Sequence, residues 1–421
     1  MILHIDIDCF FVSAHRINNP SLQNIPLAVG GRSNLSIFDR KKQKRALSNI
    51  EGAFTSSILS SNDGKTFEQY FKDKDGRIRG IITTSSYEAR AYGVKTAMSA
   101  SEALRWCPTL QILPPNYPYY HELSHSLKLL LQKEIPSIEQ FSIDEFFGDV
   151  TGWVKDEDIY TFAKNLKEKI QNDIGLPVSI GVAKTKWIAK LGTNDAKPYG
   201  VRVIYKDEVE EFIKNLPISA FPGIGKGYQD RLLPRGIKTL GDIKSRKELF
   251  MRWGKPGMQI YNRVCGLDNE KISVSQGQKS IGLGRTFDPL QNRDEIKRRL
   301  TILCRHLSFL ALKGKHNPMT YSLNIRYQYG VKQKDYLNAN RLFNEQFFKE
   351  SIITLFDKID IHKHHLIMQI NITLGNFEEN KVMTMNLLNY EEDIKQAKLT
   401  DSLQKLRDKF GIDIIKSAGE L

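Results

Sequence analysis

Cysteine is scarce: the 421 residues hold four (Cys9, Cys107, Cys265, Cys304), none in a CxxC pair. Neither a disulfide framework nor a thiolate zinc site is expected, and reduced thiols of a cytoplasmic protein are the reading. Histidine is sparse as well, nine in all. No apolar run approaches the ~18 residues of a membrane span. The opening Met-Ile-Leu-His-Ile-Asp-Ile-Asp sets acids inside its apolar stretch, which argues against a signal peptide and against a membrane partner. Negative charge is in deficit: 62 Lys and Arg face 48 Asp and Glu, a net charge of +14. That excess favours a polyanionic partner, nucleic acid ahead of anionic lipid.

At about 100 to 200 residues per domain, the chain is expected to form three or four domains. Residues 1 to 8 alternate as a short strand whose polar face carries acids, and a helix opens at Phe10. The stretch from Gly30 to Gly80 is polar and reads as an insertion of weak structure. Ile138 to Val150 reads as a hairpin with Asp144 and Glu145 at its turn. A helix (Asp156 to Asp173), a strand (Val178 to Val182), a helix (Lys186 to Leu191) and a strand (Val201 to Ile204) follow, which suits an α+β sheet with helices on one face. The pattern then turns helical until Gly266. A polar stretch follows, and beyond it strands and helices alternate as βαββαβ, one complete two-layer domain.

Phosphoryl transfer to a growing strand uses two Mg²⁺ ions roughly 3.5 to 4 Å apart, and magnesium prefers carboxylates, phosphates and water. A strand ending in Asp6 beside a hairpin presenting Asp144 and Glu145 offers such oxygens, although acids at turns are common and prove little alone. Their context adds more. Asp6-Ile-Asp-Cys-Phe-Phe11, Thr84-Ser-Ser-Tyr-Glu-Ala-Arg-Ala-Tyr-Gly-Val-Lys95 and Phe141-Ser-Ile-Asp-Glu145 closely resemble the Y-family polymerases, the UmuC and DinB type. Ser179-Ile-Gly-Val-Ala-Lys-Thr-Lys186, Ala196-Lys-Pro-Tyr-Gly200 and Pro222-Gly-Ile-Gly225 agree in order, so the resemblance covers nearly the whole chain.

The resemblance implies a right-hand polymerase with a ferredoxin-like palm (residues 1–10 and 115–204) and small fingers (11–114) carrying an unusual insertion at about 31–80. A helical helix-hairpin-helix thumb (205–272), a linker (273–279), a βαββαβ little finger (280–380) and a tail (381–421) complete it. The reaction implied is template-directed addition of a deoxynucleotide to a primer 3′-OH, of the translesion type, at low fidelity and without proofreading. Primer-template DNA and dNTP are the implied partners, for a monomer acting in the cytoplasm at the nucleoid. Accessory subunits are a further candidate.

By the same resemblance Asp6, the backbone carbonyl of Ile7, Asp144 and Glu145 hold two Mg²⁺ ions. Tyr87 and Arg90, at i and i+3, grip the triphosphate with Lys197. Phe11 is the steric gate against a ribose 2′-OH, with Phe10 beside it in the nucleotide pocket or in core packing. Asp8 reads as an N-cap for the helix at Phe10. Gly223, Gly225 and Lys226 are expected to meet a DNA phosphate at the hairpin turn. Lys279, Arg285 and Arg326, with Lys313 and Lys315, are candidates for tracking the duplex in a nonspecific, salt-sensitive way.

Two departures stand out. The stretch between Gly31 and Gly80 is about forty residues longer than the short turn expected there. The tail resembles relatives with a clamp-binding peptide of the QLSLF kind before a final helix, but Thr384-Met385-Asn-Leu387-Leu388 lacks the glutamine and the terminal aromatic. The sliding clamp is a further candidate partner through this degenerate motif. His121-Glu-Leu-Ser-His125 is a formal HExxH, so a zinc metalloprotease is the rival from another class, without a third ligand at the usual spacing. His362, His364 and His365 read as a solvated turn. A DNA-binding protein without catalysis is the other alternative.

Overall fold

The computed structural model describes residues 1–39, 64–73, 75–273, 278–339, 341–377 and 390–420. Its contacts divide the chain into two units, one of Met1–Gly30, Ile81–Pro115 and Tyr119–Gln276, the other of Gly31–Gly80, Asn116–Pro118 and Gly277–Leu421.

The first unit contains strands β1 (Ile2–Ile7), β2 (Leu27–Gly31), β3 (Ile81–Ser85), β4 (Gln111–Leu113), β5 (Ser137–Gln140), β6 (Glu145–Asp149), β7 (Val178–Ala183) and β8 (Val201–Ile204). Its main sheet has the order β5-β6-β1-β7-β8. Every residue of β1 is buried, as befits the middle strand of a sheet covered by helices. The helix Lys186–Ala196 packs directly on β7, and Gly181 is what admits it. A Cβ there would lie 2.0 Å from the Ala189 carbonyl oxygen and 2.3 Å from the Thr193 nitrogen. His4, opposite Gly181 in the β1–β7 register, accordingly meets Thr193, with Nδ1 2.9 Å from the hydroxyl. A small sheet of order β3-β2-β4 and the helices Tyr87–Ala91 and Ala100–Trp106 form the region expected to be fingers. Short helices between Val209 and Val264 bury Phe221, Ile224, Leu232, Leu240 and Phe250 in a cluster continuous with Ala183 of β7, Trp187 and Ile188 of the helix Lys186–Ala196, and Ile204 of β8.

The second unit is built on β9 (Ser280–Leu290), β10 (Pro318–Tyr327), β11 (Lys332–Asn338) and β12 (Ile367–Phe377) in the order β11-β10-β12-β9. Strict alternation puts Tyr321, Leu323, Ile325 and Tyr327 of β10 against the helices Arg293–Lys313 and Glu345–Ile359. The βαββαβ expectation holds, with helix ends within a residue or two of those read from the sequence.

The insertion departs from expectation. Its described parts include a single 3-10 turn at Leu35–Phe38 and a helix at Phe67–Phe71 opened by a capping box on Thr66. They group with the β9–β12 unit. Ile37 and Phe38 are buried in its core, and the Arg299 guanidinium stacks over Phe38 and Phe287 at 4.8 and 4.6 Å. Ser33 accepts a hydrogen bond from the Thr286 amide on the edge strand β9, and Arg79 pairs with Asp288 at 2.6 Å. Two adjacent apolar residues of a polar stretch thus complete the core of this unit, while Ser33 and Arg79 of the same stretch bind its edge strand.

The final helix of the tail runs from Tyr390 to Phe410. Below it lies a buried ionic cluster. Glu420 joins Arg305 at 2.6 Å and Lys349 at 3.2 Å, Arg305 also meets Asp413 at 2.9 Å, and Glu345 pairs with both Lys349 and Arg407. Removing one partner of a buried pair leaves the other charge desolvated and uncompensated. Glu420→Ala is therefore expected to weaken the melting transition of this unit by about 3 kcal/mol, the low end for such a loss because Arg305 keeps Asp413. Chemical denaturation of the full chain checks it, and a loss under about 1 kcal/mol would mean the pair is worth no more than a surface one.

Candidate active site

Strand register brings the acids together. Asp6 stands directly opposite Glu145 across β1 and β6, and the Ile7 amide donates to the Asp144 carbonyl at 3.0 Å. Three residues separated by about 140 positions of sequence are thus on neighbouring backbone. Their side chains have taken separate partners. Lys197 pairs with Asp6 at 2.6 Å, Lys190 pairs with Glu145, and the Ser142 hydroxyl donates to Asp144. Among the described residues no three His, Cys, Asp or Glu side chains stand ready to hold a metal ion. Two ammonium groups and a hydroxyl hold the three carboxylates instead.

The charges remain unbalanced. Burial pushes the Asp6 carboxyl up to about 7, the nearby Glu145 and Asp144 carboxylates add to that rise, and Lys197 opposes it. Asp144 is raised too, first by burial and also by Glu145. His4 lies beneath, its Nε2 3.5 Å from the Lys190 ammonium. Burial, then Lys190, holds its pKa well below the ordinary histidine value, so it is a neutral ring.

Cys9 breaks β1 from the first helix with a left-handed backbone (φ 47°), an uncommon conformation for a residue with a Cβ, and it is the N-cap of the helix Phe10–Asn18. The expectation for Asp8 is corrected here: its side chain does not cap the helix. Its carboxylate accepts from the Tyr87 hydroxyl at 3.0 Å, the Ser179 hydroxyl at 2.8 Å and the Tyr199 amide at 2.7 Å. The tight turn sends Phe10 into the core at 3 % exposure and leaves Phe11 half-buried. Phe10 therefore belongs to the packing. Phe11 lies flat on Tyr120, ring centroids 4.4 Å apart and planes 13° from parallel, in a small cluster with Leu27, Val29 and Tyr87.

Tyr87 and Arg90 occupy one helix as expected, with the Arg90 guanidinium 4.9 Å from the Tyr87 ring and its Nε donating to the Ser85 carbonyl. Lys190 was missed in the sequence, although its place one helical turn after Lys186 signals a shared face. Lys186 itself is buried on Glu139 at 2.8 Å.

Farther out, Gly223 has the positive φ (96°) that the hairpin turn needs, a Cβ at Gly223 or Gly225 would meet nothing within 4 Å, and Lys226 is exposed. Lys279 is exposed and Arg326 half-buried, whereas Arg285 fails as a duplex contact. It is buried on the core side of β9, with Nε donating to the Asn34 carbonyl at 3.0 Å. On the other sheet face, Arg326 lies opposite Lys332 and Gln369, Asn324 opposite Lys334 and Asn371, and Ser322 opposite Tyr336 and Thr373. These three rows contain no carboxylate.

His121 and His125 lie on the helix Tyr117–Glu134, and the His362 and His365 rings lie 5.3 Å apart, tilted by 47°, beside Tyr327. Neither group belongs to a three-ligand set among the described residues. Residues 385, 387 and 388, the candidate clamp contacts, and most of the expected linker lie outside the described residues. No helix among the described residues is long and apolar enough to cross a membrane.

Comparison with known proteins gives consistent matches. A family model described as the impB/mucB/samB family matches residues 5–194. The chain is 30% identical over 336 residues to a protein named DNA polymerase IV of Pasteurella multocida (strain Pm70), covering 79% of this chain and 82% of that one. It is 28% identical over 432 residues to a DNA polymerase IV of Bacillus anthracis, covering 100% and 93%. Among solved structures, a Y-family DNA polymerase chimera of Dbh and Dpo4 superposes with a TM-score of 0.71 at 24% identity, covering 90% of this chain and 99% of that one.

Proposed function

The chain belongs to the Y family of DNA polymerases, the UmuC and DinB type, and from that membership we propose that it is a template-directed DNA polymerase of the translesion kind. It joins a deoxynucleoside monophosphate to a primer 3′-OH and releases pyrophosphate. The observation that carries the reading is the register that sets Asp6 against Glu145 with Asp144 bonded to the next residue along.

The donor set fits a hard divalent cation. All the side-chain donors are carboxylate oxygens, and burial pushes one of them, Asp6, up to about 7 despite its pairing with Lys197, so a cation there offsets a desolvated charge. We assign Asp6, the Ile7 carbonyl, Asp144 and Glu145 to two Mg²⁺ ions, which when bound activate the primer hydroxyl and offset the triphosphate charge. Lys197, relieved of Asp6, turns to the phosphates. Arg90 and Tyr87 grip the same phosphates from the fingers. Phe11, braced on Tyr120, closes the space where a 2′-OH would lie. The acid-free rows of β10, β11 and β12, together with the Gly223–Lys226 turn, are the surfaces assigned to the duplex backbone.

Primer extension by the full chain on intact and lesion-bearing templates with Mg²⁺ tests the proposal. Product growing one templated nucleotide at a time is expected. DNA binding with no extension would favour the DNA-binding protein without catalysis.

The charge at Asp6 gives a second test that needs no turnover. Its folded pKa of about 7 lies above the ordinary 3.8, so between those values the native protein binds more protons than the unfolded chain. Stability of the metal-free protein therefore falls as pH rises through that window and does not recover above it. A bound cation removes the penalty. Adding Mg²⁺ is expected to raise the melting temperature by about 3 °C or more at pH 8 and by less than about 1 °C at pH 5.5. Equal rises at both would contradict the assignment of Asp6 as a ligand.

A further inference from the structure

We propose that Asp8 is a positioning residue for the incoming nucleotide, its buried carboxylate acting as the hub that holds Tyr87, the Lys197–Tyr199 segment and β7 in one arrangement. The inference rests on the assignment of Tyr87 and Lys197 to the triphosphate.

Asp8 is 3% exposed, yet its carboxylate pairs with three uncharged donors. A carboxyl group removed from water is costly without such donors, and hydrogen bonds to a carboxylate are stronger than those between neutral groups. The donors come from segments 79, 171 and 191 residues away in sequence. Each of those segments has a reason to need an anchor. The helix Tyr87–Ala91 is five residues long, too short to hold its own direction, and the Tyr87 hydroxyl fixes its first turn. Tyr199 has a positive φ (50°), a conformation a residue with a side chain keeps only where its surroundings hold it, and its amide is donated to Asp8. That hydrogen bond fixes the chain two residues after Lys197. Ser179 ties both to the sheet that carries Asp6, since Ser179 lies opposite Asp6 in the β1–β7 register. Asp8 is in turn bolted down by its own backbone, whose amide donates to the Pro177 carbonyl at 2.9 Å and whose carbonyl accepts from Ser13 at 2.5 Å.

Asparagine at this position has the same shape but one oxygen fewer. It cannot accept from all three donors: its oxygen can serve Ser179 and Tyr199 together, but the Tyr87 hydroxyl then faces an N–H and must turn round to accept, so bonds to a carboxylate become neutral ones. The expected signature is a loss in nucleotide binding, not in chemistry. In steady-state single-nucleotide insertion by the full chain with Mg²⁺, Asp8→Asn is expected to raise KM for dNTP about 5-fold, as for a bond to a carboxylate exchanged for a neutral one, with kcat within about 3-fold. Ser179→Ala, which spares the charge, is expected to raise KM about 2- to 3-fold at unchanged kcat. Combining Asp8→Asn with Tyr87→Phe is expected to raise KM by less than the product of the two single effects, because both act on one shared bond. The proposal is overturned by an unchanged or lowered KM in Asp8→Asn, by a fall in kcat at constant KM, or by strictly multiplicative effects. If Asp8→Asn does not fold, an unchanged KM in Ser179→Ala overturns it alone. A wild-type chain that extends no primer removes the polymerase reading instead. An active wild type with unmoved KM values removes only the hub.

Discussion

Asp144→Ala is expected to lower the rate of templated nucleotide addition by about 10³-fold or more while leaving affinity for primer-template DNA within about 3-fold. The backbone of Asp144 is secured independently of its side chain: its carbonyl accepts the Ile7 amide at 3.0 Å, and the hairpin closes through Glu145, whose carbonyl accepts from both Phe141 and Ser142. The side chain bonds locally to Ser142 and is raised in pKa by burial and by Glu145, so its removal relieves repulsion in the metal-free protein. The variant should therefore fold at least as well as the parent. What it loses is a carboxylate whose stabilising role, in the proposed mechanism, exists only when cations and triphosphate are present, the condition for an effect confined to the chemical step. Single-turnover extension and anisotropy binding measure the two quantities separately. Extension retained within 10-fold, on either intact or damaged template, would remove Asp144 from the mechanism.

The same hairpin shows what sequence does and does not carry. Alternation with period two made β1, the β5–β6 hairpin and the βαββαβ unit legible, because burial on one face imposes that spacing whatever the rest of the chain does. It also held a signal that was passed over. Ile281, Leu283, Arg285 and Phe287 share one face of β9, so Arg285 was already placed on the core side by its neighbours. Charge alone suggested a DNA contact, and the alternation outweighs it. Other features had no local signal. The partners of Asp8 are brought to it by sheet register, and nothing in Asp6-Ile-Asp8-Cys9 distinguishes a hub from an N-cap. The left-handed turn at Cys9 is likewise invisible, since cysteine is not a residue that advertises positive φ. The pairing of Ile37 and Phe38 with the β9–β12 core was hidden for another reason. Two apolar residues in a polar stretch do not say which surface they will find.

Phe11→Ala is expected to raise the efficiency of ribonucleotide insertion relative to deoxyribonucleotide by about 10²-fold, the scale at which a wall rejects one extra hydroxyl. For the proposed gate, the geometry favours position 11 over position 10. The two rings are 5.5 Å apart, but the turn at Cys9 commits Phe10 to the core. Phe11 is instead left half-buried, flat against Tyr120, and Tyr120 is itself fully buried with its hydroxyl 2.8 Å from His15. A wall needs backing, because a ring that swings aside costs a ribose little. Here the backing is an aromatic stack worth about 0.5–1.5 kcal/mol beyond its area. Truncation therefore opens the space and also frees Tyr120, so some loss of stability accompanies the change in selectivity. Phe11→Leu separates the two, since it keeps apolar volume but gives up the flat stack. Its discrimination is expected to fall between those of alanine and the parent. Competition assays with dNTP and rNTP at one primer terminus decide the matter, and an alanine variant with the parent's discrimination would show that sugar selection resides elsewhere in the pocket.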